Sequence, residues 1–279
     1  MISIEATFNR LRAQGRAALM PFITMGFPRR ESAFELVPAL VEGGADLIEL
    51  GVPFSDPVAD GATIQAASQR ALQNGMSLAL CLQQAAELRS RGVQVPFVLM
   101  GYYNPIFQMG ESTFARCAAE AGIQGVIVPD LPPEEADSLQ AALRAHGLHL
   151  IFLLAPTSDG TRVKLVTHRA SGFIYLVSLT GVTGPRDRLP PDLEQFVARV
   201  RRATSLPLAV GFGIARPEHA AHVARIADGV IVGSALLKAI DRGDDPVAAA
   251  RQFVADLRAG IEAARAARPG EAPQGVDNL

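Results

Sequence analysis

The sequence has 279 residues, of which 49% are hydrophobic and 19% charged, with a formal net charge of −2 at pH 7. This composition supports a full globular core and argues against a basic nucleic-acid-binding surface or a polybasic membrane patch. No apolar run approaches the roughly 20 residues of a membrane span. The chain has two cysteines, Cys81 and Cys117, so neither a disulfide framework nor a metal site is indicated. We expect a soluble cytoplasmic protein with reduced thiols.

Eight apolar runs follow one another along the chain, and amphipathic helical patterns separate them. Their continuous Val, Ile, Leu and Phe character is typical of parallel strands buried on both faces. One more helix, Ser3–Gln14, is predicted before the first strand. The predicted strands are Ala18–Thr24, Asp46–Leu50, Pro96–Met100, Gly125–Val128, Leu148–Leu154, Gly172–Val177, Pro207–Val210 and Gly229–Val232.

This alternation predicts an α/β fold, a single-domain (β/α)8 TIM barrel over residues 1–264, with the extra N-terminal helix. The alternative is a doubly wound sheet, but the first strand ends in Thr24-Met-Gly-Phe-Pro28, which is not a GxGxxG turn. Ala33–Gly43 is predicted to be a helix in which Pro38 implies a kink. Residues 265–279, rich in Ala, Arg, Pro and Gly, are predicted to form a frayed or disordered tail.

Two carboxylates are candidates for acid–base catalysis. Glu49 lies near the end of the second strand, among apolar residues where an acid is costly without a partner or a function. Asp60 lies on the following loop, just before a helical pattern that starts at Thr63. Barrel active sites lie at the C-terminal ends of the strands, so the two acids are expected to share one site. The alternatives are a salt bridge at the barrel rim for Glu49 and a turn-forming role for Asp60.

Glycine-rich turns follow the last two strands. Gly211-Phe-Gly213 comes after the seventh, and Gly233-Ser234 comes after the eighth, before a helix at Ala235. Backbone N–H groups at such a helix start can hold a phosphate without Lys or Arg, although tight turns alone would also explain the glycines. The long segment Ser178–Arg188 has the character of a lid. Arg201-Arg202 is predicted to lie on a solvated helix face.

Residues Leu47–Gln65, with the core ELGVPFSDPxADG, resemble the signature of the tryptophan synthase alpha subunit family. Further motifs match along the chain in the same order: Pro21-Phe-Ile-Thr24, Gly181-Val-Thr-Gly184, Gly211-Phe-Gly-Ile214 and Val232-Gly-Ser-Ala235. Three positions depart from the family pattern. Ala62 replaces the usual Pro, Phe27 stands where Asp is common, and Pro129 occupies a position that is often small or apolar. None of these departures removes a catalytic group.

The resemblance implies a lyase that cleaves indole-3-glycerol phosphate by a retro-aldol reaction to indole and glyceraldehyde 3-phosphate. Glu49, with an elevated pKa, would shuttle protons, while Asp60, on a solvated loop, would stay ionised and accept the indole N–H. Thr183 would order the strand-six loop over Asp60. Implied substrate-binding residues are Phe22, Met100, Ile127, Leu153, Tyr175, Thr183, Gly184, Phe212, Gly213, Gly233 and Ser234.

The resemblance also implies an alpha2-beta2 complex with a beta subunit, which receives the indole for L-tryptophan synthesis. No cofactor is implied on this chain, because pyridoxal phosphate would belong to the beta subunit. The implied partner-facing residues are Pro53, Asp56 and Pro57, together with Asn104 on the loop Gly101–Pro105 that is predicted after the third strand.

Three alternative functions remain open from the sequence. A stand-alone lyase would release free indole from the same substrate. Another phosphate-binding barrel, such as a sugar-phosphate isomerase, would share the glycine turns but not the pair formed by Glu49 and Asp60. A non-catalytic regulatory barrel would bind a ligand only, and the presence of both carboxylates argues against it.

Overall fold

The computed structural model describes residues 1–177, 191–211 and 213–266, with side chains up to residue 264. These residues form nine parallel strand segments whose residues are almost all buried. Burial on both faces explains their unbroken apolar sequences. The segments are β1 (Ala18–Thr24), β2 (Ile48–Gly51), β3 (Phe97–Met100), β4 (Ile123–Ile127), β5 (His149–Ile151), β6 (Leu153–Leu154), β7 (Ile174–Val177), β8 (Leu208–Gly211) and β9 (Gly229–Val232).

The strand order shows how the sheet closes. Hydrogen-bonded neighbours run β5-β4-β3-β2-β1-β9-β8-β7-β6, and only Phe152 separates β5 from β6 in sequence. The two outer segments are therefore parts of one strand, and the Tyr175 N–H donates to the Phe152 carbonyl at 3.1 Å. Eight strands in a closed ring confirm the predicted barrel, while the predicted continuous strand Leu148–Leu154 is interrupted.

The barrel is surrounded by helices that carry one buried face each. The long C-terminal helix, Pro246–Ala266, packs against the helices Ala33–Glu42, Pro217–Ile226 and Ser234–Arg242. The α-helices in the described part of the chain are α1 (Ile4–Ala13), α2 (Ala33–Glu42), α3 (Ala62–Gln73), α4 (Leu78–Ser90), α5 (Tyr103–Met109), α6 (Glu111–Glu120), α7 (Asp137–Ala145), α8 (Gly160–Arg169), α9 (Leu193–Arg201), α10 (Pro217–Ile226), α11 (Ser234–Arg242) and α12 (Pro246–Ala266). A short 3-10 helix, Pro133–Glu135, precedes α7.

Helix α1 precedes the first strand, as the sequence predicts. Its N-cap is Ser3, whose side chain accepts the Ala6 N–H. Ile4, Phe8 and Leu11 are buried on one face, and the Phe8 ring packs 5.8 Å from that of Phe173, just before β7. Because β7 starts there, α1 lies at the N-terminal end of the barrel.

One local prediction needs correction. The segment after β3 is expected to be a loop up to Pro105, but α5 begins at Tyr103, so the link is only two residues long. Gly110, with φ of 84°, ends that helix in a conformation that favours glycine. Helix α2 continues through Pro38. In the described ranges, no helix combines the length and hydropathy that a membrane span requires. Most of the predicted tail lies outside the described residues.

A buried ion pair ties together the N-terminal end of the barrel. Asp46, just before β2, is 8% exposed and accepts the Leu19 N–H at 3.0 Å. The Arg258 guanidinium of α12 donates to the Asp46 carboxylate and to the Gly44 carbonyl. A further hydrogen bond joins Arg258 to the Ala17 carbonyl at 3.4 Å. These contacts connect the last helix to the first two strands.

Candidate active site

Glu49 lies on β2, where the register pairs it with Phe22 of β1 and Val98 of β3. Its side chain is 1% exposed, and its Oε2 atom has no hydrogen-bond partner among the described residues. Burial, with a smaller contribution from the nearby charge of Asp60, raises the pKa of Glu49 to about 8. A carboxyl group with this pKa can both donate and accept a proton near neutral pH.

Asp60 lies on the loop between β2 and α3 and is less buried than Glu49. Burial nevertheless raises the pKa of Asp60, which the expectation of a solvated loop did not predict. A hydrogen bond from the Tyr102 hydroxyl opposes this shift, since it stabilises the ionised carboxylate. The two acids influence each other, so the structure brings together the pair predicted from sequence.

Tyr102 is a site residue that the sequence analysis missed. It follows β3, is 4% exposed, and its hydroxyl oxygen accepts the Ala59 N–H at 3.0 Å. The same hydroxyl hydrogen-bonds to Asp60, and the ring stacks on Phe54 at 5.1 Å. One side chain thereby holds the Asp60 loop at three points. Its position directly after a strand was the available signal, but packing explains a tyrosine there equally well.

Asp60 borders a cavity at the ends of the first three strands. This small cavity is lined in part by Phe22, Gly51, Asp60, Met100 and Pro129. Its volume of about 10 Å³ is close to the space of one water molecule, so entry of a larger ligand requires these side chains to move. Gly51 makes room for Phe22, because a Cβ there would lie 2.4 Å from the Phe22 ring.

Three further predicted pocket residues belong to the neighbouring strands. Ile127 ends β4 and is fully buried, while Leu153 of β6 is partly exposed and pairs with Tyr175 of β7. Burial raises the pKa of Tyr175 well above its ordinary value, and the charges of Glu49 and Asp60 add to the shift. Tyr175 therefore lies within electrostatic reach of both acids.

The two glycine turns that are predicted to hold a phosphate follow β8 and β9. Gly213 follows β8 with φ of 79°, and Gly233 follows β9 directly before α11, which begins at Ser234. A Cβ at Gly233 would lie 3.4 Å from the Phe22 ring, which places this turn beside the apolar pocket. Thr183, Gly184, Phe212 and the predicted lid lie outside the described residues.

Comparison with known proteins identifies the family. The protein-family model for the tryptophan synthase alpha chain matches residues 8–266. The chain belongs to this family. The tryptophan synthase alpha chain of Roseiflexus sp. is 56% identical over 260 residues, which cover 92% of this chain and 100% of the relative. That of Chloroflexus aurantiacus is 53% identical over 263 residues, which cover 94% and 99%.

Solved structures agree with this assignment. Tryptophan synthase subunit alpha from Legionella pneumophila aligns with a TM-score of 0.88 and 40% identity, covering 94% of this chain and 99% of that one. A Mycobacterium tuberculosis tryptophan synthase chain aligns with a TM-score of 0.86 and 38% identity over the same shares. The chain is accordingly a lyase of tryptophan biosynthesis that cleaves indole-3-glycerol phosphate.

The three residues that depart from the family pattern lie in different environments. Phe27 is 5% exposed, and the Arg70 guanidinium lies 5.4 Å from the centre of its ring. Ala62 is the first residue of α3 and is exposed. Pro129 lines the small cavity beside Asp60, whereas Phe27 and Ala62 do not.

The residues predicted to face a partner differ in exposure. Asp56 is exposed and Pro57 partly exposed, but Pro53 is buried. Asn104 is exposed and lies in α5 rather than on a loop. Two large apolar side chains near them, Val58 and Phe107, are 80% and 61% exposed.

Proposed function

We propose that Glu49 moves the protons of the retro-aldol reaction. Its neutral carboxyl group donates a proton to indole C3, and positive charge develops on the ring nitrogen. The resulting carboxylate then takes the proton of the glycerol hydroxyl next to the ring, the carbon–carbon bond breaks, and indole and the aldehyde product form. A single group acts as acid and then as base, and its pKa of about 8 supports both roles.

Asp60 accepts the indole N–H in this proposal. A carboxylate there stabilises the positive charge that develops on the ring nitrogen. The Tyr102 hydroxyl supports the ionised form, because it donates a hydrogen bond to Asp60 while it accepts the Ala59 N–H. Tyr102 therefore serves as a positioning residue for Asp60.

The remaining substrate groups are assigned to the barrel mouth. Phe22, Met100, Ile127, Leu153 and Tyr175, with Phe212, would enclose the indole. The turn at Gly213 and the N-terminus of α11 at Gly233-Ser234, with Gly184, would hold the phosphate through backbone N–H groups. Thr183 would order the segment after β7 over Asp60. The reaction transfers protons and no hydride, so this chain needs no cofactor for it.

We propose that the chain acts in a complex with a beta subunit, as an alpha2-beta2 tetramer. The surface that contains Asp56, Pro57 and Asn104 also presents Val58 and Phe107, whose apolar side chains are well exposed to solvent. Exposed apolar side chains beside polar ones are typical of protein interfaces. Pro53 would support this loop from beneath. The unpaired cysteines Cys81 and Cys117 fit a cytoplasmic location.

Partner binding can act on catalysis through Tyr102. This residue links the Asp60 loop to α5, and both segments contribute to the proposed interface. A partner that binds only one arrangement of these segments shifts the population toward it. A gain of about 10- to 100-fold requires only about 1.4 to 2.8 kcal/mol of coupling.

The purified chain should be assayed for indole-3-glycerol phosphate cleavage with and without its beta subunit. We expect association at micromolar concentrations and a faster reaction in the complex. Absence of a complex together with full activity alone would favour the stand-alone lyase. Absence of cleavage under both conditions would remove the proposed roles of Glu49 and Asp60.

A further inference from the structure

Thr24 is a buried polar residue that the proposed reaction does not use. It ends β1 and is 2% exposed, and its Oγ1 atom has no hydrogen-bond partner among the described residues. A buried hydroxyl group without a partner is costly, whereas a valine side chain has nearly the same shape and lacks this cost. A threonine at the end of this strand is therefore expected to bind a polar group.

Thr24 lies on the wall of the small cavity beside Asp60. Side chains alternate along a strand, so Thr24 is on the same face of β1 as Phe22, two residues earlier, and both residues line the cavity. The register pairs Thr24 with Gly51 of β2, which also belongs to the cavity wall. The hydroxyl of Thr24 and the carboxylate of Asp60 thus border the same small space.

Ser68 contributes a further polar side chain to this cavity. It lies on α3 and is 4% exposed, and Ile64, one turn earlier on the same helix face, lines the cavity as well. Two hydroxyl groups and a carboxylate therefore surround a volume of about 10 Å³. A buried water molecule needs a space of about 10–15 Å³ and two to four polar partners, and this cavity provides both.

We propose that Thr24 and Ser68 hold a water molecule that donates a hydrogen bond to the Asp60 carboxylate, so that Thr24 is a positioning residue for Asp60. Each hydroxyl group donates to the water oxygen, and the water directs one of its own protons at Asp60. This donor acts beside the Tyr102 hydroxyl and opposes the rise in the pKa of Asp60 that burial causes. The effect on catalysis rests on the proposed role of Asp60, which needs its ionised form to accept the indole N–H.

The link between Thr24 and Asp60 can be measured without catalysis. Aspartate labelled with ¹³C at the side-chain carboxyl is incorporated into the full chain, and Asp60→Asn identifies the NMR signal of Asp60. Thr24→Val removes the hydroxyl group and keeps the shape, so the titration midpoint of this signal should move to higher pH. Thr24→Ser keeps the hydroxyl group and should keep the original midpoint. Thr7→Val is the matched control, because the buried Oγ1 atom of Thr7 on α1 also lacks a partner among the described residues but lies outside the cavity wall.

The pH dependence of kcat/KM for indole-3-glycerol phosphate tests the consequence for activity. On the acid side of the profile, Thr24→Val should lower kcat/KM about three- to tenfold, as loss of one water-mediated hydrogen bond to a charged group does. Thr24→Ser should restore the original value. The alkaline side, where Glu49 loses its proton, should stay unchanged.

An unchanged Asp60 midpoint in Thr24→Val would overturn the proposal, and so would an equal change in Thr7→Val or a change that Thr24→Ser does not restore. A shifted midpoint with an unchanged kcat/KM profile would support the water link and would overturn the proposed role of Asp60 instead. Circular dichroism checks folding. Ser68→Ala, which removes the other hydroxyl group and should shift the midpoint in the same direction, replaces Thr24→Val if that variant unfolds.

Discussion

Asp46 and Glu49 are two buried carboxylates only three residues apart in the chain: Asp46 lies just before β2, and Glu49 lies within it. They are 8% and 1% exposed. Asp46 receives the Leu19 N–H and the Arg258 guanidinium, whereas Glu49 has an oxygen atom with no partner in the described ranges. The pair differs in hydrogen bonding far more than in burial.

This difference distinguishes a carboxylate that supports the fold from a carboxyl group that is able to transfer protons. A buried charge with a full set of donors can stay ionised and fix its surroundings, although its net contribution to stability is small. A buried carboxyl group without donors is easier to protonate, and its pKa moves toward the range where proton transfer occurs. In this barrel the first type lies before β2, and the second lies on β2 within electrostatic reach of Asp60, on the loop that follows the strand; active sites of this fold use that side of the strands.

The largest expected effect follows loss of the partner of Asp46. Arg258→Met leaves buried Asp46 with only the half-exposed Arg10, 3.6 Å away, as a charged partner, and it should lower the free energy of unfolding by about 3 kcal/mol. Urea denaturation measures this loss, and kcat should stay close to the original value where the variant is folded. Arg251→Met is the control on the same helix, because its pair with Glu42 at 3.3 Å is exposed and contributes at most about 1 kcal/mol. Equal losses for both variants would contradict the structural role.

Glu49→Gln should change activity, whereas Arg258→Met should change stability. The amide keeps the size of the side chain but cannot shuttle a proton, so kcat should fall by at least about 100-fold. Near-normal turnover would exclude Glu49 as the catalyst.

The stability of Glu49→Gln should depend on pH in a defined direction. The pKa of Glu49 is about 8 in the folded chain against an ordinary value of 4.5, so the folded state binds more protons between these values. The free energy of unfolding of the original chain therefore falls as pH rises through this window. Glu49→Gln lacks this pH-dependent loss. Urea denaturation at pH 5.5 and pH 9 should therefore show that the stability of the variant, relative to the original chain, is higher at pH 9 than at pH 5.5.

Tyr102→Phe tests the link between the Asp60 loop and its support. Removal of the hydroxyl should raise the pKa of Asp60 and lower kcat by about tenfold, the effect of one hydrogen bond to a charged group. Tyr103→Phe is the matched control, because that hydroxyl donates to Glu111 at 2.9 Å. Steady-state kinetics of both variants measure the change in kcat. Equal losses of kcat in Tyr102→Phe and Tyr103→Phe would assign the effect to general packing.

The smallest expected effect concerns the phosphate turn. Gly233→Val should raise KM for indole-3-glycerol phosphate by about three- to tenfold, because the side chain obstructs backbone donors near the helix start. Binding of indole itself, measured by calorimetry, should change little. Gly160→Val is the control at the start of α8, where an added Cβ has no neighbour within 4 Å. An unchanged KM in Gly233→Val would place the phosphate elsewhere.

The sequence predicts what depends on local pattern. The barrel follows from the alternation of apolar runs and amphipathic helices, and Glu49 is conspicuous as an acid within an apolar strand. The interruption at Phe152 could not be predicted, because the run Leu148–Leu154 is apolar except for His149 near its start. The start of α5 was missed because Gly and Pro in that segment indicate a loop.

Long-range contacts explain the other differences. Arg258 and Asp46 are 212 positions apart, so no spacing in the sequence connects them. Tyr102 reaches Ala59 only because β2 and β3 are neighbours in the barrel. Arg201 was predicted to lie on a solvated face, but its side chain reaches Asp228 and is only partly exposed. Arg202 is exposed, as predicted.

Titration of Glu49 is the most direct test of the contrast between the two carboxylates. Glutamate labelled with ¹³C at the carboxyl carbon allows each signal to be followed by NMR as pH changes, and Glu49→Gln identifies the signal of interest. We predict that this signal titrates with a midpoint near pH 8. A midpoint near the ordinary value of 4.5 would show that Glu49 is ionised in the folded chain, and it would contradict the proposed proton shuttle.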